Sequence, residues 1–429
     1  MADYRIATFS SDATVPIGHP LCGGWITPAT TLQDRQHAHG VVIFGDEPEP
    51  MVLCAVDWCE LRCDAFDWWR EALAEAAGTM PSKVFVQTIH AHDAALADPD
   101  ADRILAREET GYRTVDADFL KRTIAASAAS LKASLARARN ITHIGTGQAK
   151  VAKVASSRRL LDPNGKVIPG RMSACSDPKL RALPDGVIDP YLKTVSFWDG
   201  ETCVAALHYY ATHPMSYYGR GGITPDFAGL AREVMRNEQP DVHHVYFTGC
   251  AGNVAAGKYN DGSPENRPVL RDRMVAGMKG ALAATHREPI KRIGWRVLPV
   301  HLPPRKEWDR GYFTRMLKSK GPRATVSKGA MGLAWLDRHE RGDKIDYTCF
   351  RVNDAFVLNL PGESFVEYQL AAQRRRKGAF VAVAAYGQCA PSYIPTAVAY
   401  GQGGYEPTFA FVGPEAESVH LEAISALLA

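Results

Sequence analysis

The segment Lys83-Val-Phe-Val-Gln-Thr-Ile-His90-Ala-His92-Asp93 ends an apolar strand with two histidines one residue apart. Residues i and i+2 of a strand project to the same side, so both imidazoles leave its end together. Such a pair can deliver a metal ligand and a proton-transfer group to one place, and it equally suits packed histidines without an ion. A second apolar strand runs into Leu207-His208-Tyr-Tyr-Ala-Thr-His213-Pro214, where Pro214 biases His213 towards an extended backbone. His208 reads as a core residue. His213 is the candidate ligand, because neutral imidazole commonly binds zinc.

A carboxylate enters at Leu358-Asn-Leu-Pro361-Gly362-Glu363-Ser364, with Glu367 three residues after Ser364. Ser-x-x-Glu ahead of an apolar-periodic run is a capping box and predicts a helix starting near Ser364. Glu363 then stands in the preceding turn, either free to ligate or favoured there by the helix dipole. The run Gly249-Cys-Ala-Gly252-Asn253-Val-Ala-Ala-Gly257 follows another strand. Its small residues could offer backbone N–H groups to an oxyanion or could serve a tight turn. It lacks the GxxxxGK[ST] pattern of a phosphate-binding loop. Further glycines accumulate from Gly387 through Tyr393-Ile394-Pro395 to Gly401-Gln-Gly-Gly-Tyr405-Glu406, as in an irregular loop near a ligand.

These residues need a scaffold. Short apolar runs at 50–56, 84–89, 203–207, 245–248 and 355–360 read as strands of a covered sheet. Amphipathic stretches of helical length lie between them, clearest at 119–139, 227–237 and 268–285. The alternation predicts an α/β fold, a mixed sheet covered by helices, and the candidate ligands would set a metal site at strand ends. At 429 residues and 46% hydrophobic the chain can form one large core, and we expect residues 1–429 to be a single domain. Insertions are expected near 160–190, rich in Pro, Gly and Asp, and near 303–345, which is strongly charged.

The net charge of +3 is too balanced for an extended nucleic-acid surface or an anionic membrane partner. The basic tract Arg374-Arg-Arg-Lys377 before Gly378 fits the last turn of a helix. Nine scattered cysteines without CxxC spacing suit reduced thiols; Cys54, Cys59 and Cys63 form one local cluster that could bind a metal, but their gaps fit no common zinc knuckle and they read as buried thiols on a strand and its following helix. The opening Met-Ala-Asp-Tyr-Arg-Ile-Ala-Thr-Phe has no leader-like pattern, and no run is long enough for a membrane span. The expectation is a cytoplasmic protein acting on a small molecule, with no nucleic-acid partner and no membrane insertion.

Taken in order, His90-Ala-His92, Ala211-Thr-His213-Pro214, Phe247 to Asn253, Pro361-Gly-Glu363, and Tyr393-Ile394 through Tyr405-Glu406 to Gly413-Pro414 resemble signature segments of the neutral (alkaline, non-lysosomal) ceramidase family. The opening Asp12-Ala-Thr-Val-Pro16-Ile-Gly18-His-Pro20-Leu-Cys-Gly23-Gly24 and the strand ending in Asp57 look like further motifs of that family. The resemblance implies a zinc amidase. By position, His90, His213, Glu363 and Tyr393 match the family's metal ligands, and His92 matches its second catalytic histidine. Arg158 of Ala155-Ser-Ser-Arg-Arg159 looks like the arginine that holds the substrate's carbonyl region, a place Arg159 could also take. Asp226 lies in a segment that also resembles the family and reads as a helix N-cap.

The implied chemistry suits the residue types: imidazoles and a carboxylate hold Zn²⁺, an open position takes water, and His92 handles its proton. Arg158 and Tyr393 would then stabilise an oxyanion beside the metal. This chain departs from the family pattern in two segments. Gly252-Asn253-Val254-Ala255 stands where the family has Gly-Asp-Val-Ser, which removes a serine nucleophile there. His90-Ala-His-Asp93-Ala-Ala-Leu96 stands where the family has His-Thr-His-Ser-Gly-Pro-Gly. No counterpart of the family's signal peptide or C-terminal immunoglobulin-like domain is expected. The departures point away from ceramide and towards an amide or related carbonyl bond of a soluble substrate. Two rivals stand beside this reading. One is a metal-dependent hydrolase or lyase of a sugar derivative, for which Trp25, Trp58, Tyr217, Tyr218, Tyr400 and Tyr405 are candidate stacking residues. The other is a metal- or ligand-binding homologue without catalysis.

Overall fold

The structure, a computed structural model, describes residues 4–429; Met1, Ala2 and Asp3, where the segment read for a leader begins, lie outside the described residues. Two five-stranded sheets and one four-stranded sheet form the frame. In the first, β1 (Arg5–Asp12), β2 (His37–Phe44), β3 (Met51–Val56), β4 (Val84–Thr88) and the edge pair β5 (Arg139–Asn140) run in the order β4-β3-β2-β1-β5. The second comprises β6 (His143–Lys150), β7 (Tyr191–Asp199), β8 (Thr202–Tyr210), β9 (His243–Thr248) and β10 (His286–Pro289), ordered β9-β8-β7-β6-β10. The third comprises β11 (Ile293–Val300), β12 (Ile345–Val352), β13 (Ala355–Asn359) and β14 (Phe380–Ala384), in chain order.

The strand runs are apolar throughout because both faces are covered. In β3, Leu53 and Ala55 point into a core shared with the second and third sheets. Val52, Cys54 and Val56 point the other way, onto α1 (Asp64–Ala77) and α2 (Ala117–Leu135). In the third sheet Val357 joins the shared core, while Phe356 and Leu358 face α6 (Arg323–Arg341) and α8 (Ala416–Leu428). With α3 (Asp226–Glu238), α4 (Asn266–Ala283), α5 (Arg310–Leu317) and α7 (Val366–Arg375), the α/β architecture expected from the alternation is present.

Each sheet is antiparallel apart from one parallel pair, β3/β4, β8/β9 or β13/β14. Parallel neighbours need a crossover, and α1, α3 and α7 supply these three. The strand ends that follow are laced together. Thr88 N donates to Tyr386 O at 3.2 Å, Ala385 N donates to Thr248 O at 2.9 Å, and Thr248 Oγ1 donates to Ile89 O at 2.7 Å. Three carboxyl ends therefore meet at one point, which is where open α/β sheets bind ligands.

Local expectations need correction in four places. The helix expected at 119–139 ends at Leu135, and Arg139 pairs at the edge of β1. Ser364 does not cap a helix: Glu363–Ser364 forms a two-residue strand paired with Tyr393–Ile394, and α7 starts at Val366. The Ser364 hydroxyl donates to Pro361 O, and the Glu367 carboxylate accepts from Asn253 Nδ2, so tertiary pairing overrides the local pattern. Asp226 is the first residue of α3, with φ 51°, and accepts from Ser216 N, Ser216 Oγ and Phe227 N. The N–H groups of Gly249, Cys250, Gly252 and Val254 are bonded within the fold, so these four do not form an oxyanion hole.

The charged stretch at 303–345 folds as a hairpin of α5 and α6, with α6 deeply buried. Residues 160–190 hold a small hairpin, Leu160–Leu161 against Val167–Ile168, and the short helix Pro178–Ala182. No helix among the described residues is long and apolar enough to cross a membrane.

Candidate metal centre

His90 lies just beyond β4, His213 just beyond β8 and Glu363 just beyond β13, so each parallel pair contributes one side chain. All three are at least 96% buried. The Glu363 Oε2 lies 3.2 Å from Nε2 of His90 and 3.0 Å from Nε2 of His213. The other nitrogen of each ring faces a backbone carbonyl: His90 Nδ1 is 3.0 Å from Cys59 O, and His213 Nδ1 is 2.7 Å from Ala251 O. A carbonyl only accepts, so both Nδ1 atoms carry hydrogen. In the neutral rings, both Nε2 atoms therefore turn lone pairs towards a carboxylate oxygen.

Acceptors converging at this range need positive charge between or upon them, a bound cation or a proton on an imidazole. With Zn–N and Zn–O bonds near 2.0 Å, two ligand atoms of a tetrahedral site lie about 3.3 Å apart, which matches these spacings. Nδ1–H on a carbonyl is also the outer-shell bond that fixes a ligating histidine. The donor set fits zinc.

Ionisation follows from burial and neighbours. Burial opposes charge on Glu363, but His90 and His213 outweigh it and hold the carboxyl well below the usual range. Burial, aided by Arg158, pushes His213 down to about 4. His90 moves upward: burial disfavours its cation, and Glu363 more than compensates. Burial also lowers His92.

His92 Nε2 stands 3.3 Å from His90 Nε2, and its Nδ1 is 3.6 Å from Cys22 Sγ. Tyr393 is the register partner of Glu363 on the adjacent short strand. Its hydroxyl accepts from Arg158 Nη2 at 3.2 Å, and burial raises its pKa against the pull of that guanidinium. Arg158 also donates to Gly252 O and pairs with Glu406 at 3.2 Å. Arg159 turns to Glu406, Ala399 O and Gln402. Thus His90, His92, His213 and Glu363 are gathered in one cluster, and Arg158 and Tyr393 form a pair beside it.

The glycine-rich loop contributes carbonyls. Ala251 O and Val254 O face His213 Nδ1, and Gly252 O and Asn253 O accept from Arg158. Gly252 is required because a Cβ there would collide with the Glu363 carbonyl.

Several residues at the site escaped the sequence reading. Tyr386, at φ 57°, stacks on His90 with centroids 4.4 Å apart. A Glu60 oxygen lies within 4.8 Å of ligand atoms of His90 and Glu363 while the same carboxylate pairs with Arg62 at 2.8 Å. Cys22 and Cys59 lie against His92 and His90. No short motif marks Tyr386 or Glu60; Cys22 lies in the Asp12–Gly24 segment and Cys59 in the 54–63 cysteine cluster, but neither pattern gives the thiol a place at the site. Among the candidate stacking aromatics, Tyr218 leans on His92 and Tyr405 on Tyr393, with centroids 5.2 and 5.9 Å apart. Trp58 is core, Trp25 packs on Phe409, Tyr217 lies under Arg267, and Tyr400 donates to Val412 O.

Beside Arg158 a cavity of about 390 Å³ opens, lined by Val167 and Ile168 of the 160s hairpin, by Met172 beyond it, and by Tyr405-Glu406.

No protein-family model matches the chain, and neither does any curated protein. Solved structures do. A crystal structure of neutral ceramidase from Pseudomonas aeruginosa matches with a TM-score of 0.73 at 16% identity, covering 100% of this chain and 74% of that one. A second structure, of ceramidase complexed with C2, matches with a TM-score of 0.70 at 16% identity, covering 100% of this chain and 75% of that one. At that identity the likeness speaks for architecture: the chain has a ceramidase-like fold.

Proposed function

We propose that this chain is a zinc-dependent hydrolase cleaving an amide or related carbonyl bond of a small, soluble substrate. The observation that carries the reading is the convergence of His90 Nε2, His213 Nε2 and Glu363 Oε2, three buried acceptors within 3.2 Å of a partner and with no proton to share when the rings are neutral. The ceramidase-like fold supports the hydrolase class.

In this proposal His90, His213 and Glu363 hold the ion, with Tyr393 beside Glu363 as the fourth protein ligand. Zinc bound there supplies hydroxide at neutral pH, by lowering the pKa of water to roughly 7, and polarises a carbonyl. His92 takes the proton of the attacking water on Nε2 and returns it to the leaving nitrogen. A depressed pKa keeps His92 unprotonated and able to accept. Arg158, fixed by Gly252 O and Tyr393, faces the charge that develops on the carbonyl oxygen.

The cavity at Arg158 supports a substrate with a polar end at the guanidinium and an apolar part against Val167, Ile168 and Met172. In this reading residues 1–429 act as a single catalytic unit, and the 160–190 insertion contributes one wall of the substrate site. With its nine cysteines as free thiols, the enzyme is read as cytoplasmic.

Elemental analysis of the purified protein, followed by a panel of amides, esters and glycosides before and after chelation, tests the reading. Amide or ester turnover that is lost with zinc and regained on its return is the expected result. Glycoside cleavage would move the assignment to a sugar derivative. A protein that binds zinc but turns nothing over would be a binding homologue.

A further inference from the structure

A second group of ligating atoms adjoins the hydrolytic centre and takes no part in the chemistry above. Cys22 Sγ lies 3.8 Å from Cys59 Sγ and 3.6 Å from His92 Nδ1, and all three ligand atoms are within 4.8 Å of one another. With Zn–S near 2.3 Å and Zn–N near 2.0 Å, tetrahedral edges are about 3.8 Å for sulfur–sulfur and about 3.5 Å for sulfur–nitrogen. The sulfur–sulfur spacing and the Cys22 Sγ–His92 Nδ1 spacing match those edges.

Two unligated thiols in simple contact could show the same sulfur–sulfur distance, so the surroundings decide. Cys22 holds φ 46°, a left-handed conformation costly for a side chain bearing a Cβ. Backbone bonds fix both cysteines to the segment that follows His92: Cys22 N donates to Ala94 O at 2.8 Å and Cys59 N to Ala95 O at 2.7 Å. The sulfurs are buried, with Cys22 4% and Cys59 1% exposed.

We propose that Cys22, Cys59 and His92 Nδ1 form a second, thiolate-rich cation site for zinc, cobalt or cadmium, which shares the imidazole of His92 with the hydrolytic centre. Binding displaces the two thiol protons to solvent and involves no change of oxidation state. Three protein ligands leave a coordination position open, so the ion is exchangeable. With Nδ1 ligated, neutral His92 carries its hydrogen on Nε2 and can no longer accept there. Excess zinc then inhibits, a consequence that rests on the proposed role of His92, whereas the site itself does not.

Cobalt titration of the metal-free full chain tests the site directly. The expected result is a near-ultraviolet thiolate-to-cobalt charge-transfer band that grows with one bound equivalent. Cys22→Ser and Cys59→Ser should each weaken or abolish the band. His90→Ala should lose a different equivalent and keep the band, which separates this site from the hydrolytic one. A wild-type titration without a thiolate band overturns the proposal and needs no variant; so does a band that survives undiminished in both serine variants.

Discussion

Glu363 and His213 touch through the two atoms least able to attract each other in a neutral site: a carboxylate oxygen and an imidazole nitrogen whose partner nitrogen already donates to Ala251 O. Their 3.0 Å separation is favourable only with positive charge between or upon them. An added proton on His213 is opposed by burial and by Arg158. A divalent cation meets all three acceptors at once.

Glu363→Gln should therefore weaken zinc binding by at least about 100-fold, the upper end of what losing an outer-shell partner costs, and abolish turnover. Competition against a chromophoric chelator measures the affinity. Unchanged affinity would remove Glu363 from the ligand set.

His92→Ala should leave zinc binding at the proposed site of His90, His213 and Glu363 intact while kcat falls by about 10²–10⁴, the range for losing a positioned acid–base group. Metal content and turnover are read on one preparation. Loss of that zinc together with activity would instead make His92 a ligand, as its 3.3 Å approach to His90 Nε2 also permits.

Arg158→Lys keeps the charge but loses the planar fork that reaches Gly252 O, Tyr393 and Glu406 together. A fall in kcat of about 10²–10³, as for an oxyanion donor, is expected with little change in metal content. Arg159→Lys, whose side chain faces Glu406, Ala399 and Gln402, should change kcat by far less. Equal losses in the two variants would show that neither has a special place at the carbonyl.

Why some of this was legible and some not is plain in particular residues. β4 is buried on both faces, so its composition alone marks a strand, and the histidines at its end stand out. β6, His-Ile-Gly-Thr-Gly-Gln-Ala-Lys, carries no such mark. Gly147 is needed because a Cβ would strike the Ala281 carbonyl of α4, and this close helix contact leaves a sequence that looks like a loop. Ser364 and Glu367 match a capping box in spacing, but strand pairing with Tyr393–Ile394 takes their place. Glu60 and Tyr386 belong to the site only because the three sheets meet, and chain-local patterns carry no information about that meeting.

His420 provides a pH test remote from any ligand titration. Its Nδ1 is 2.7 Å from the Tyr347 hydroxyl and its Nε2 is 3.3 Å from Ser364 Oγ, next to Glu363. Burial pushes its pKa down to about 3 from the ordinary 6.5. Below the ordinary value the unfolded chain takes up a proton that the folded chain refuses. The stability His420 contributes is therefore complete above about pH 6.5 and is lost as pH falls towards 3, at up to about 1.4 kcal/mol per pH unit. His420→Gln has no proton to gain. In urea titrations between about pH 6 and pH 4, its stability should fall less steeply than the wild type's by about one proton's worth, even if it starts lower at pH 7. Parallel curves would mean that His420 is already protonated in the folded protein, and that Tyr347 and Ser364 hold an imidazolium rather than a neutral ring.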